Sequence, residues 1–146
     1  TGAPLAGEMS GHMFFSEGFF GFDDALFAAG RLLKYVASTG RTLDQLVDSL
    51  PQYFATPETR LACPEERKFQ IPDLLKAEFA ARYRIVDIDG IRVEFGDGWG
   101  LVRASNTQPA LVVRFEARNE ARLAEIRDTM MSALRKLGVE ETPVAH

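Results

Sequence analysis

The sequence predicts an α+β fold in which an antiparallel sheet carries helices on one face. In "IVDIDGIRVEF", apolar and polar residues alternate on both sides of Asp89-Gly90, a pattern typical of a β-hairpin. Two further strands, "GWGLVRAS" and "ALVVRFEA", are joined by the turn sequence "NTQP". Short strands joined by hairpins form antiparallel sheets, so we expect about four strands and two main helices in this part of the chain.

The two main helices are predicted by apolar spacing. "KFQIPDLLKAEFAARY" is compatible with a helix if Pro72 lies in its first turn, where its missing N–H costs little. "NEARLAEIRDTMMSALRKLG" is a longer amphipathic helix, with Asn119 as the N-cap and Gly138 as the C-terminal stop. The apolar face of this second helix contains Leu123, Ile126, Met130, Leu134 and Leu137.

The N-terminal part is predicted to contain two helices, followed by a domain boundary. Apolar residues from Leu26 to Val36 follow helical spacing, and Asp23 and Asp24 suit the start of that helix through capping and the macrodipole. Thr42 and Gln45 have the spacing of a capping box for a second helix. The extended stretch "QYFATPETRLACP" follows, and we expect the domain boundary there, with one piece at residues 1–50 and another at 51–146.

Composition narrows the classes of function. The chain has 146 residues and a net charge of −4, which argues against nucleic acid or an anionic membrane as a partner. A single cysteine, Cys63, and two histidines argue against a disulfide framework and against a metal site in this chain. No apolar run is long enough to span a bilayer, so the cytoplasm is the expected location. The start "TGAPLAGEMSGH", a glycine-rich loop without an initiator Met, indicates a piece of a longer protein.

The stretch "RASNTQP" is a candidate anion site. Arg103 supplies a planar cation suited to phosphate or carboxylate. Ser105, Asn106 and Thr107 add short polar side chains, and turn N–H groups can cradle an anion. These are also ordinary turn residues, and from composition alone a plain polar hairpin loop is the more frequent explanation.

The stretch "GEMSGH" is a candidate hydroxyl-binding site. Glu8 can accept hydrogen bonds from two vicinal hydroxyls, Ser10 can donate or accept, and His12 can transfer a proton near neutral pH. A glycine-bent start of a strand, with these polar side chains turned to solvent, explains the same residues. The stretch taken alone leaves both explanations open.

The two stretches and the sequence between them resemble a known family. "GEMSGH", "FGFDDALFAAGRLL" and "GWGLVRASNTQPALVVRFEA" occur in the order found in the C-terminal part of the α-D-phosphohexomutases, particularly the bacterial phosphomannomutase/phosphoglucomutase group. The resemblance implies reversible phosphate transfer between positions 1 and 6 of a hexose, with a hexose 1,6-bisphosphate intermediate or activator and Mg²⁺. It also implies that residues 1–50 end a third, α/β domain, and that residues 51–146 form a fourth domain of TATA-binding-protein-like topology.

The resemblance also implies roles for individual residues. Glu8 and Ser10 match positions that hold sugar hydroxyls, and His12 matches a possible general acid or base. Met9 resembles the mannose/glucose branch rather than the glucosamine branch. The loop that grips the phosphate not being transferred is matched by Arg103, Ser105, Asn106 and Thr107.

Two family motifs are absent from this sequence. Nothing resembles the phosphoserine loop T-A-S-H-N-P or the metal loop D-G-D-G-D-R, so the Mg²⁺ ligands are expected outside this chain, which should be inactive alone. The expected partners are hexose phosphates and the remaining domains of the parent enzyme. A glucosamine-phosphate mutase fragment and a non-catalytic sugar-phosphate-binding module remain as alternatives.

Overall fold

The structure is a computed structural model that describes residues 2–8 and 10–141. The chain divides into two compact units, Thr1–Pro51 (unit 1) and Gln52–His146 (unit 2). Helices and antiparallel strands occur in both units, so the predicted α+β class is confirmed. Within the described residues, no helix combines the length and the apolar character needed to cross a membrane.

Unit 1 contains a two-stranded hairpin and two helices. Strands β1 (Leu5–Gly7) and β2 (Met13–Phe15) pair antiparallel, and helices α1 (Ala25–Thr39) and α2 (Leu43–Val47) follow. The predicted capping box is present at α2: the Thr42 hydroxyl accepts the Gln45 N–H at 3.3 Å, and the Gln45 amide oxygen accepts the Thr42 N–H at 3.1 Å. Both ends of this pairing satisfy N–H groups that a helix start leaves without partners.

Helix α1 is present as predicted, but its apolar face is not buried within the described residues. Asp24 is the N-cap, and its carboxylate accepts the Phe27 N–H at 2.8 Å. No residue of α1 is buried; Leu26 and Leu33 are 88% and 70% exposed. The helical spacing therefore predicts the local structure correctly, while within the described residues of unit 1 this face is covered only in part, where Phe27 packs against Phe15 and Phe19.

Unit 2 is built on an antiparallel six-stranded sheet, two strands more than expected. Pairing runs in the order β3-β8-β7-β6-β5, and β4 also pairs with β8. The additional strands β3 and β4 come from the extended stretch around Pro57, because its two halves pair with different parts of the long strand β8. The strands are β3 (Phe54–Ala55), β4 (Thr59–Ala62), β5 (Arg84–Val86), β6 (Ile91–Glu94), β7 (Gly98–Ala104) and β8 (Ala110–Ala117).

Up to residue 141, three helices accompany this sheet: α3 (Glu65–Lys68), α4 (Ile71–Phe79) and α5 (Glu120–Lys136). Helix α4 is shorter than the predicted stretch 68–83 and has Pro72 in its first turn, since proline lacks an N–H and disfavours helix in the residue before it. Helix α5 matches the prediction: Asn119 accepts the Arg122 N–H at 2.8 Å, and Gly138 adopts φ 76° in a Schellman-type ending.

The core of unit 2 lies between one sheet face and the helices. Alternate residues of β8, such as Val113 and Phe115, are buried with Ile126 and Met130 of α5. The helix approaches closely at Gly100, where an added Cβ would lie 2.9 Å from the Met130 side chain. Because the strand period is two, the intervening residues project from the opposite sheet face, which therefore carries Arg92, Arg103 and Arg114.

Candidate functional site

The described residues Glu8, Ser10, Gly11 and His12 of "GEMSGH" lie between β1 and β2, and we call them the β1–β2 turn. The Glu8 N–H donates to the His12 carbonyl at 2.9 Å, and the Gly11 N–H donates to the Glu8 carbonyl at 3.0 Å. Gly11 has φ 91°, a conformation that favours glycine. The turn carries Glu8, Ser10 and His12; Met9, on which the predicted sugar preference rests, lies outside the described residues.

Glu8 and Ser10 are both exposed and are hydrogen-bonded to each other. The Ser10 hydroxyl donates to Oε2 of Glu8 at 3.2 Å. A carboxylate can accept several hydrogen bonds, so Glu8 retains acceptor capacity for hydroxyl groups of a ligand. The serine oxygen likewise retains acceptor capacity. This pair has the chemistry to bind a polyhydroxylated molecule.

His12 is paired with Asp23, eleven residues further along the chain. The His12 Nδ1 bonds Oδ2 of Asp23, and both side chains remain partly exposed. The hydrogen bond to Asp23 and its negative charge raise the pKa of His12 above the ordinary value. Because Asp23 engages Nδ1, the ring is held with Nε2 available for proton transfer. The sequence predicted helix capping for Asp23 and Asp24 alike, but only Asp24 caps α1.

Arg103 lies near the end of β7, on the sheet face opposite the helices. Its side chain is 31% exposed, and among the described residues its nearest carboxylate oxygens are Oδ2 of Asp89 at 3.7 Å and Oε2 of Glu58 at 4.0 Å. Both distances fall within ion-pair range but exceed normal hydrogen-bond length, so these carboxylates pair with the guanidinium without accepting a direct hydrogen bond. Among the described residues, the Arg103 guanidinium therefore keeps N–H donors without a direct hydrogen-bond acceptor, and two carboxylates lie close to it.

Gly90 supports the backbone of Arg103 from the neighbouring hairpin. It has φ 76°, and a Cβ built on it would lie 2.6 Å from the Arg103 Cα and 2.4 Å from the Val102 carbonyl oxygen. Only glycine accommodates this combination of positive φ and close approach. The Asp89-Gly90 signal that predicted the hairpin thus also positions the candidate anion-binding strand.

Ser105 organises the turn between β7 and β8, which we call the β7–β8 turn (residues 105–109). Its hydroxyl oxygen accepts the Gln108 N–H at 3.2 Å and the Thr107 N–H at 3.4 Å, and the residue is only 6% exposed. Asn106 and Thr107, by contrast, are exposed at the tip of the turn. In the described part of the chain, the Asn106 N–H has no protein acceptor, so it is available to an anion.

Two basic residues that no sequence motif indicates also contact the β7–β8 turn. The ammonium group of Lys68 bonds the carbonyls of Ser105 and Gln108 at 2.6 and 3.0 Å, and Nη1 of Arg60 donates to the Gln108 side chain at 3.3 Å. Both residues are distant from the turn in sequence and carry no motif of their own. Lys68 and Arg60 become recognisable only when the fold brings β4 and α3 beside β8.

The described residues contain no group of three or more His, Cys, Asp and Glu side chains able to hold a metal ion. The two turns themselves offer hydrogen bonding, charge and proton transfer. One turn offers hydroxyl acceptors and a histidine, and the other offers a guanidinium and a free N–H. Taken separately, the groups of the first turn suit hydroxyls and those of the second suit an anion.

Comparison with known proteins identifies the family. The family model for the phosphoglucomutase/phosphomannomutase C-terminal domain matches residues 58–133, and the model for alpha/beta/alpha domain III of the same family matches residues 1–54. The first match covers more than half of the chain. The protein therefore belongs to the phosphoglucomutase/phosphomannomutase family, as the sequence motifs predicted.

Individual relatives agree with this assignment. The chain is 47% identical over 137 residues to a phosphoglucomutase of Neisseria meningitidis, and 43% identical over 141 residues to a phosphomannomutase/phosphoglucomutase of Pseudomonas putida. These alignments cover 92% and 96% of the chain but 30% of each relative. A solved phosphoglucomutase/phosphomannomutase family protein from Burkholderia thailandensis matches with TM-score 0.78 and 44% identity, over 94% of this chain and 29% of that protein.

Proposed function

We propose that this chain is the part of a phosphohexomutase that recognises the hydroxyls of a hexose and holds its distal phosphate. The parent enzyme would interconvert hexose 1-phosphate and hexose 6-phosphate, with glucose or mannose as the sugar, through a bisphosphorylated intermediate. Membership of the family supports the reaction class. The exposed polar groups of the β1–β2 and β7–β8 turns support the division of labour between the two units.

We assign residues 1–50 to the closing part of the sugar-recognition domain and residues 51–146 to the phosphate-binding domain. The chain spans about 30% of the length of the curated relatives that it matches, which supports the presence of further domains in the parent enzyme. The exposure of Leu26 and Leu33 on α1 fits this assignment, since a helical apolar face of this kind normally packs against other residues.

The observation that supports the phosphate assignment is the exposure and bonding of the Arg103 guanidinium. Its guanidinium is partly exposed and, among the described residues, has two carboxylates at ion-pair distance but none within hydrogen-bond distance; it adjoins a turn whose Asn106 N–H has no acceptor in that part of the chain. A phosphate oxygen could accept from both groups. Hydrogen bonds to charged groups contribute roughly 1.5–3 kcal/mol, so Arg103 would dominate phosphate affinity, with Ser105, Asn106 and Thr107 completing the contact.

The β1–β2 turn would read the sugar. Glu8 and Ser10 would bind ring hydroxyls, and His12, kept protonated to higher pH by Asp23, would act as a general acid through Nε2. The remote phosphate contact has a catalytic use in a mutase, because the binding energy of the non-reacting end helps to position the reacting end. The same hydroxyls and distal phosphate serve both orientations of the intermediate.

The phosphate carrier, the Mg²⁺ site and the binding of hexose 1,6-bisphosphate as activator would belong to the rest of the enzyme. The described residues do not fit a metal ion, and the sequence has neither the phosphoserine motif nor the metal motif of the family. We therefore expect the 146-residue chain to have no mutase activity, while it retains weak binding of sugar phosphate.

An NMR titration tests the assignment. Amide resonances of the ¹⁵N-labelled 146-residue chain are followed while glucose 1-phosphate or inorganic phosphate is added. We expect residues 103–107 to shift, and Arg103→Ala to weaken binding about ten-fold or more. The matched control is Arg92→Ala, an arginine of the same sheet face that contacts Glu94 and Trp99. Absence of shifts in residues 103–107 of the native chain would overturn the phosphate assignment.

In the parent enzyme, the two turns should separate kinetically. Arg103→Ala should weaken binding of all hexose phosphates alike. Glu8→Ala should reduce the discrimination between sugars that differ in hydroxyl configuration. Unchanged kinetics in both variants would contradict the proposed function, and a parent chain without the serine and metal motifs would favour a non-catalytic binding module.

A further inference from the structure

Lys68 is the most deeply buried charged residue among those that the structure describes. It is the buried residue of the short helix α3 and is 1% exposed. Its ammonium group bonds the Ser105 carbonyl at 2.6 Å, the Gln108 carbonyl at 3.0 Å and a carboxylate oxygen of Glu65 at 2.7 Å. A lysine has three N–H donors; two of them bond the β7–β8 turn, and the Glu65 carboxylate forms an ion pair with the same ammonium group.

The two carbonyls that Lys68 binds lie at the two ends of the segment 105–108. The hydroxyl of Ser105 ties the interior of the same segment through the N–H groups of Thr107 and Gln108. Lys68 and Ser105 thus hold different atoms of one turn, the first from the protein interior and the second from within the turn. A turn fixed in this way needs little further ordering when a ligand binds.

The contact with Ser105 also determines where the next N–H group points. The peptide bond between Ser105 and Asn106 is trans, so its C=O and N–H point in opposite directions. Because the carbonyl is directed at the buried Lys68 ammonium, the Asn106 N–H is directed away from the interior. The positive charge of the Lys68 ammonium, bonded to the Ser105 carbonyl oxygen, polarises the peptide unit and strengthens the Asn106 N–H as a donor.

We propose that Lys68 is a positioning residue for phosphate binding, which orients the β7–β8 turn and activates the Asn106 N–H without touching the ligand. The proposal rests on the proposed function, since it names a determinant of the same phosphate site. Burying an ammonium is costly unless it is fully hydrogen-bonded, and a methionine would fill the same space without that cost. The use of a lysine here is explained by its two turn carbonyls.

The first arm of the experiment needs no ligand. In the 146-residue chain, Lys68→Met should accelerate hydrogen exchange at the Thr107 and Gln108 amides, while core amides such as that of Met130 keep their protection. Lys68→Arg should restore much of the protection, because the positive donor group is retained. The matched control is Lys76→Met, an exposed lysine paired with Asp87. Equal turn protection in Lys68→Met and the native chain would overturn the proposal.

The second arm measures affinity for inorganic phosphate by amide shifts. Lys68→Met should weaken binding about three- to ten-fold and reduce the shift of the Asn106 amide, and Lys68→Arg should lie between Lys68→Met and the native chain. Lys76→Met should bind as the native chain does. A loss of thermal stability in Lys68→Met with unchanged phosphate affinity would identify a purely structural lysine and overturn the proposal.

A measurement on the native chain covers the case in which Lys68→Met does not fold. The ammonium protons of Lys68 should exchange slowly with water, and its ¹⁵Nζ resonance should shift when phosphate is added. Fast exchange and no phosphate response would contradict the proposal. If phosphate binds at residues 103–107 independently of Lys68, this inference alone is contradicted. If the native chain fails to bind phosphate, the proposed function is contradicted.

Discussion

His12 and Asp23 form an ion pair across eleven residues, between the β1–β2 turn and the start of α1. Asp23 and Asp24 are adjacent but serve different partners, because Asp24 caps α1 through the Phe27 N–H. The pair ties the imidazole to a rigid helix start. It also fixes which ring nitrogen remains available, since Asp23 engages Nδ1.

The first prediction concerns the titration of His12. In a ¹H–¹⁵N or ¹H–¹³C titration of the imidazole, the pKa of His12 should lie above the ordinary value of 6.5, and Asp23→Asn should return it toward that value. A raised folded pKa means that the pair contributes to stability below the unfolded value. The contribution is lost as pH rises through the raised folded value.

Asp24→Asn is the matched control for this prediction. It removes the adjacent carboxylate, which caps α1 and has no bond to His12, so the pKa of His12 should change much less than in Asp23→Asn. Asparagine is itself a good N-cap, and α1 should persist in both variants. The same pKa in the native chain and in Asp23→Asn would contradict the pairing.

The second prediction concerns the carboxylates beside Arg103. Asp89 and Glu58 lie 3.7 and 4.0 Å from its guanidinium and would oppose a bound anion. Glu58→Gln should tighten inorganic phosphate binding by up to about five-fold, because exposed charge pairs contribute at most about 1 kcal/mol. Glu94→Gln, which removes a carboxylate paired with Arg92, should have little effect in the same NMR titration. Weaker binding in Glu58→Gln would count against Arg103 as the anion ligand.

The third prediction compares two glycines with positive φ. Gly90 has φ 76° and would place a Cβ 2.4 Å from the Val102 carbonyl oxygen, whereas Gly96 has φ 90° and open space around it. Both alanine variants should be destabilised by the backbone conformation, and Gly90→Ala by about 1–3 kcal/mol more because of the clash. Urea unfolding of the two variants measures the difference. Equal destabilisation would mean that the backbone at Val102 yields without cost.

The local features of the fold could be predicted from the sequence because they depend on neighbouring residues. The capping box at Thr42, the N-cap at Asn119 and the hairpin at Asp89-Gly90 all follow from short-range hydrogen bonding or backbone preference. The sequence predicts an extended stretch around Pro57 but not its division into β3 and β4, because each half is too short to show a period. They form strands because β8 is long enough to pair with both of them.

The candidate site could be predicted only where its residues form contiguous motifs. Motif residues such as Glu8 and Arg103 stand in recognisable stretches, and their roles remain predictions. The contacts of Asp23 and Lys68 depend on tertiary structure, which brings α1 to the β1–β2 turn and α3 to the β7–β8 turn. No spacing rule relates Lys68 to Ser105, 37 residues later, so its position behind the turn becomes apparent only in the folded chain.

The last prediction concerns the pair formed by Asp97 and Arg122, which connects the β6–β7 turn to the first turn of α5. Arg122 Nε lies 2.9 and 3.0 Å from the two carboxylate oxygens, and this hydrogen bonding lowers the pKa of Asp97 below its ordinary value of 3.8. A lowered folded pKa contributes stability above the unfolded value, and the contribution is lost as pH falls through the folded value.

Asp97→Asn should therefore lower the free energy of unfolding at neutral pH, and its difference from the native chain should shrink as the pH falls below 3.8. Asp128→Asn is the control, because Asp128 lies on the same helix but contacts Arg127 instead of Arg122. Urea unfolding at a series of pH values measures both variants. If the Asp97→Asn difference stayed constant from neutral to acidic pH, the carboxylate charge would not be the stabilising element, and the contact between the turn and α5 would depend on packing alone.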